Sequence, residues 1–308
     1  MDYPRYWHGY LLFIIPMLSC FNIGELRALL LVIQFFLIIA VMIEFGKLDI
    51  RYVWLFGVIV LFINPITTAL TFEESDIFVI SLAATLFILR WDRFLKQNNW
   101  YLFFFLLLGI IVSYVDFLTY PVVTYGIPLI VMLAVNNYSA RNGTEKVIFS
   151  TIMFGSGYAG MWSGKWVIAS LITKRNIIKE AVSQLIYRTY GDIRLEIGGE
   201  DGTSFINAIK HLWYKMRNPI FLTLMLVAIA IIFIFMLRRK NLRPDKNMLC
   251  DSLPIMLVGV SPFIWTAIAA NHTIIHPHMA YRNMAVFFWA LFTIYIRIFP
   301  ISNARRMT

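Results

Sequence analysis

Residues 219–237 read PIFLTLMLVAIAIIFIFML, nineteen positions without a single charge. Coiled as an α-helix this stretch is about 28 Å long, close to the hydrocarbon thickness of a bilayer. Eight further apolar stretches carry the same reading: 26–43, 52–70, 77–91, 100–115, 121–135, 147–163, 252–270 and 282–299. The 308 residues are 60% hydrophobic and 14% charged, with a mean hydropathy of +0.72. A soluble domain is nearer half apolar and a quarter charged, so a soluble globular enzyme is excluded. The expected fold is all-α: a polytopic α-helical integral membrane protein with about nine transmembrane helices plus interfacial helices. The run Tyr10–Phe21 is too short to span and holds Pro16, so it is expected to lie in the interface.

Alternating the connections gathers fifteen basic residues on one side, from Lys47 and Arg51 through Arg90, Arg93 and Lys96 to Arg305 and Arg306. The opposite short segments hold Arg5, Arg27 and Arg282, together with Glu73, Glu74, Asp76 and Asp116. The positive-inside bias makes the basic side cytoplasmic, which accounts for the net charge of +10 without any nucleic-acid partner. The chain is expected to be a multi-pass protein of the plasma membrane, with its N-terminus extracytoplasmic and its C-terminus cytoplasmic. It divides into an extracytoplasmic and interfacial segment (1–25), an N-terminal bundle of about six spans (26–163), an extracytoplasmic amphipathic loop (164–218) and a C-terminal bundle of about three spans (219–308). Such a topology leads to the expectation that one membrane helix precedes Met1, encoded upstream or supplied by another polypeptide. Cys20 and Cys250 fall on opposite sides and define neither a disulfide nor a metal site.

The cytoplasmic connections are short and basic, so chemistry is expected on the outer side. Ionisable groups beside membrane spans are functional suspects, which singles out Asp116, Glu73 and Glu74 as candidate catalytic residues. Between Lys165 and Arg217, cations including Lys165 and Arg188 alternate with apolar positions. That pattern suits amphipathic helices on the bilayer, and it fits contact with anionic membrane lipids as well as it fits a specific phosphate substrate. His272, His276 and His278 form H-x3-H-x-H, but Pro277 interrupts the helical spacing and no carboxylate is near in sequence. They read as polar groups lining an outer cavity, with Arg282 at the start of the last span facing an anion. No metal or other cofactor is assigned. Gly155-Ser-Gly-Tyr-Ala-Gly160 matches G-x-G-x-x-G inside an apolar span with no strand before it, so it reads as close helix packing through small residues, including Gly160 and Gly164 at four-residue spacing.

Trp7-His8-Gly9-Tyr10-Leu11, the turn Phe21-Asn22-Ile23-Gly24 and Arg27 follow an order that resembles C-type (GT-C) membrane glycosyltransferases. There the first outer loop ends in a helix with an H-P-P-L-like stretch, and a turn leads to an arginine at the second span. Tyr281-Arg282 resembles the outer tyrosine-arginine pair of the same enzymes. Asp116–Pro121 (DFLTYP) and Lys165–Thr173 are similar to stretches of uncharacterised bacterial multi-pass proteins. The resemblance implies a polyprenyl-phosphate sugar donor, used at the outer face to build a surface polysaccharide or glycolipid, with His8, Arg27, Lys165, Arg188, His272, His276, Tyr281 and Arg282 at the substrate. It also implies that the acidic residue of the first outer loop lies before Met1, leaving an N-terminally truncated, inactive form. A transporter or flippase for lipid-linked sugars and a polysaccharide polymerase are the alternatives that the same layout admits.

Overall fold

The computed structural model describes residues 5–116, 118–191, 202–237 and 245–300, and every regular element among them is helical. In chain order these are α1 (Leu11–Met17), α2 (Ile23–Leu48), α3 (Ile50–Ile63), α4 (Pro65–Thr68), α5 (Phe72–Lys96), α6 (Trp100–Val115), α7 (Pro121–Asn136) and α8 (Ala140–Thr173). They continue with α9 (Ile177–Tyr190), α10 (Phe205–Met216), α11 (Pro219–Leu237), α12 (Lys246–Cys250), α13 (Leu253–Ile268), α14 (Ala270–Ile275), α15 (Pro277–Ala280) and α16 (Met284–Ile298). Four helical stretches are long and apolar enough to cross a membrane: Ile23–Leu48, Pro219–Met236, Asn247–Ile268 and Pro277–Ile298. The apolar helices α3, α6 and α7 are shorter, and the stretches 77–91 and 147–163 fall inside the longer, more polar α5 and α8.

Local chemistry sets the helix ends. Asn22 and Glu25 form a reciprocal capping box at the start of α2, at 3.0 and 2.8 Å. Asn64 and Asn137 end α3 and α7 in the left-handed conformation that asparagine tolerates better than most residues. Asn64 therefore splits the expected 52–70 stretch, and Pro65 restarts the chain as the short α4. Ala269, also non-helical, ends α13 and turns α14 away from it. The helix holding 147–163 continues without interruption to Thr173, so part of the expected loop is helix.

The middle of the bundle is α7, whose residues Pro121 to Leu133 are all buried, as expected for a helix that is apolar on every side. Around it pack α5, α13 and α16, with α3 behind α16 and α2 against α3 and α5. Phe45, Tyr52, Phe56 and Trp289 form an aromatic knot with ring centroids 5.0–5.9 Å apart. By contrast α11 shows most of its side chains to the surroundings, among them Ile220, Leu226, Ile229 and Phe233.

The glycine contact is corrected by the structure. A Cβ at Gly160 or Gly164 would meet nothing within 4 Å, whereas one at Gly157 would lie 2.2 Å from the Leu106 carbonyl oxygen. On the facing helix, a Cβ at Gly109 would lie 2.1 Å from the Phe154 carbonyl oxygen. Gly109 of α6 and Gly157 of α8 thus bring two backbones together, and the i, i+4 pair Gly160/Gly164 has no neighbour to approach.

Charged groups collect at the two ends of the bundle. At one end Arg51 holds Asp49 through both Nε and Nη2 and caps the Phe299 and Ile296 carbonyls. Nearby, Glu44 pairs with Lys47 and Arg90. The opposite end carries the groups that sequence reasoning placed at a site.

Candidate functional site

Asp116 ends α6 and is 2% exposed. Its Oδ1 accepts hydrogen bonds from Thr119 N (2.9 Å) and Thr119 Oγ1 (2.6 Å), and its Oδ2 accepts one from the Tyr158 hydroxyl (3.1 Å). The D-x-x-T spacing explains the first two, since a carboxylate readily closes a turn on the residue three positions on. Burial raises the Asp116 pKa, and the bonds from Thr119 and Tyr158 act against that shift.

Beside it, Arg282 is engaged by the protein itself. Its Nη1 meets Glu74 Oε1 at 2.8 Å and the His278 carbonyl at 3.0 Å, Nε donates to the Ile63 carbonyl (2.9 Å), and Nη2 donates to Thr67 Oγ1 (3.0 Å). The Glu74 and Arg282 side chains are only 6% and 4% exposed. The rings of Tyr120 and Tyr281 lie 5.5 and 5.2 Å from the guanidinium carbon, and the Tyr120 hydroxyl donates to the Glu74 carbonyl. Glu74 and Arg282 therefore tie the ends of α3, α5 and α16 together. Glu73 faces Tyr10, whose phenol is pushed up to about 12 by burial and by the nearby carboxylates.

The N-terminal residues strap across this end. Gly9 N donates to the Tyr114 carbonyl (2.9 Å), Trp7 Nε1 to the Met161 carbonyl (2.8 Å), and Trp166 Nε1 to the Arg5 carbonyl (3.2 Å). Gly9 must be glycine, because a Cβ would lie 2.3 Å from the Tyr114 ring. His8 holds a positive φ of 55° beside Tyr10, and the Lys165 ammonium sits 4.9 Å above the Trp7 ring.

Under the strap is a small, partly open pocket lined by Arg5, Tyr6, Leu118, Trp162, Trp166, Ala181, Gln184, Leu185 and Arg188. Leu118 lies two residues from Asp116, and Tyr158, which binds Asp116, packs on Trp162 with ring centroids 5.3 Å apart. His272 faces Arg188 and the Leu118 backbone. It is buried, neither ring nitrogen makes a hydrogen bond, and its ring lies 4.9 Å from that of His276. Burial, reinforced by His276 and Arg188, lowers its pKa to about 3 and keeps it neutral.

Of the residues singled out by sequence, Asp116, Lys165, Arg188, His272, His276, Glu73, Glu74, Tyr281, Arg282 and His8 fall at this end. Arg27 is exposed on the first turn of α2 and takes part in none of these contacts. Among the described residues, no three His, Cys, Asp or Glu side chains gather closely enough to hold a metal ion. Tyr158, Trp162, Gln184 and Thr67 were missed, because each sits in a helix whose pattern reads as packing. The D-x-x-T spacing alone could have drawn attention to Thr119. Comparison with known proteins finds no family, no curated sequence and no solved structure that matches this chain.

Proposed function

We propose that this is a nine-span membrane glycosyltransferase of the GT-C kind, with the pocket end outside the cell and the Asp49–Arg51 end in the cytoplasm of a bacterium. The observation that carries the reading is a buried carboxylate, Asp116, set one turn from a pocket that presents Arg188 and Arg5 beside aromatic walls. With the long 165–217 stretch set aside, the sequence places most basic residues in the short connections of the opposite side, which supports the orientation. The donor is a polyprenyl-phosphate sugar whose phosphate rests at Arg188 and Lys165. Asp116 takes the proton of the acceptor hydroxyl, whose oxygen attacks the anomeric carbon. The bond from that carbon to the phosphate oxygen breaks, and polyprenyl phosphate leaves with the electron pair. Arg282 acts here as a positioning residue that anchors Glu74, and the pocket cations hold the phosphate.

The test uses purified protein with a panel of polyprenyl-phosphate hexoses, reading release of polyprenyl phosphate. Asp116→Asn keeps an acceptor for Thr119 and a partner for Tyr158 but removes the base. Release should fall by roughly 10²-fold or more at unchanged folded amount. Undiminished release, or passage of the intact donor across a proteoliposome membrane with no release, would overturn the proposal.

A further inference from the structure

The cytoplasm-facing end in the proposed orientation holds a buried arginine whose side-on edge meets no protein acceptor. Arg297, near the end of α16, is 7% exposed, and neither its Nε nor its Nη2 has a hydrogen-bond partner. These two N–H groups point the same way and form the side-on fork that grips paired oxygens. Arg51, close by in the fold, shows what the fork takes when filled: its Nε and Nη2 both bind the Asp49 carboxylate, at 2.7–3.1 Å. The acidic and phenolic groups facing Arg297 are Asp251 and Tyr52. Asp251 makes no ion pair with it among the described residues and instead accepts a bond from Ala140 N at 2.8 Å.

Residues at four-place spacing share a helix face, and the two residues before Arg297 in that series repeat the pattern. Thr293 Oγ1 and Trp289 Nε1 are fully buried and also lack partners. The indole and the guanidinium can only donate, and the threonine can donate. A set of unmet donors with a positive charge at its end asks for acceptors carrying negative charge. A neutral water would leave the buried charge uncompensated, which is costly.

We propose that the Nε/Nη2 edge of Arg297, with Thr293 above it, is a binding site for an anion bearing paired oxygens, of the phosphate class. Arg297 lies one residue before the Ile298 carbonyl that accepts from Asp245 N, and near Phe299, which Arg51 caps; in the proposed orientation this is the depth of a lipid headgroup. The same oxygens are offered by an anionic phospholipid and by free phosphate.

The experiment separates the two sources. Purified full-length chain is examined by native mass spectrometry after equilibration with phosphatidylglycerol or phosphatidylcholine, and by thermal unfolding with and without inorganic phosphate. Arg297→Lys keeps the charge but loses the fork, and Thr293→Val keeps the shape but loses the donor. Retention of phosphatidylglycerol over phosphatidylcholine, weakened roughly tenfold in Arg297→Lys and to a smaller degree in Thr293→Val, supports the site with a lipid occupant. Stabilisation by inorganic phosphate that both variants diminish supports it with a soluble one. If parent and Thr293→Val behave alike toward both probes, the proposal is overturned even should Arg297→Lys fail to fold.

Discussion

The Glu74–Arg282 pair offers a test whose size follows from its burial. Both side chains are almost wholly shielded, and the guanidinium retains bonds to Ile63, His278 and Thr67 when Glu74 is altered. Glu74→Gln preserves the shape and an acceptor oxygen, so what it removes is the countercharge. An uncompensated buried charge costs about 3–5 kcal/mol, and the surviving neutral bond places Glu74→Gln near the lower figure. The double variant Glu74→Leu/Arg282→Met removes both charges and should recover most of the loss, because an apolar pair of similar volume is often neutral or stabilising. Unfolding by SDS in mixed micelles, followed by tryptophan fluorescence, reads both. Cys20 and Cys250 are exposed in the folded chain and would react with a thiol dye before unfolding. A Glu74→Gln cost below about 1 kcal/mol, or a double variant no better than the single, would show that the pair is not the clasp described here.

Four further outcomes are expected. Asp116 has a raised pKa in the fold, so the parent loses stability as pH rises from the ordinary carboxylate value toward the raised one; Asp116→Asn should be the more stable protein at neutral pH, with the gap closing in acid, and a pH-independent gap would refute it. His272 titrates near 3 when folded and near 6.5 when unfolded, so stability should fall as pH drops from 6.5 toward 3 and the fall should shrink in His272→Gln, as read by pH-dependent melting. An impermeant maleimide should label Cys20 in intact cells and reach Cys250 only after permeabilisation; labelling of Cys250 in Cys20→Ser intact cells would reverse the orientation. Gly157→Ala should cost about 1–3 kcal/mol by forcing α6 and α8 apart, whereas Gly160→Ala should be neutral or stabilise by about 0.5–1 kcal/mol, both read in the same SDS titration.

Helix positions were legible where one face or one local signal decides them. The run 100–115 coincides with α6, whereas α2 begins at Ile23, ahead of the expected 26, because the Asn22–Glu25 capping box starts the helix inside what reads as a turn. The break at Asn64 was missed because the apolar pattern continues through Pro65 and Ile66, and only the left-handed asparagine betrays it. The partner of Arg282 could not be read, since Glu74 lies 208 residues away and nothing local links the two. The same holds for Gly109 and Gly157: the sequence shows which residues are small, while which of them meets a neighbour depends on how α8 is rotated. The DFLTYP turn was singled out for its aspartate, and the structure adds that Thr119 and Tyr158 hold it.

The two layers of charge also act as a ruler. Along α5 the distance from Glu74 to Arg90 is about 24 Å at 1.5 Å per residue, and from Arg282 to Arg297 it is about 23 Å. An average bilayer has a hydrocarbon core of about 30 Å, several ångströms taller than the gap between these layers. In such a membrane the buried members of both layers, Glu74, Arg282 and Arg297, lie at the edge of the acyl chains, and it is the bundle that keeps them from the lipid. Loosening the helices within the membrane would hand these charges to hydrocarbon, so their burial resists unfolding inside the bilayer more strongly than it would in water.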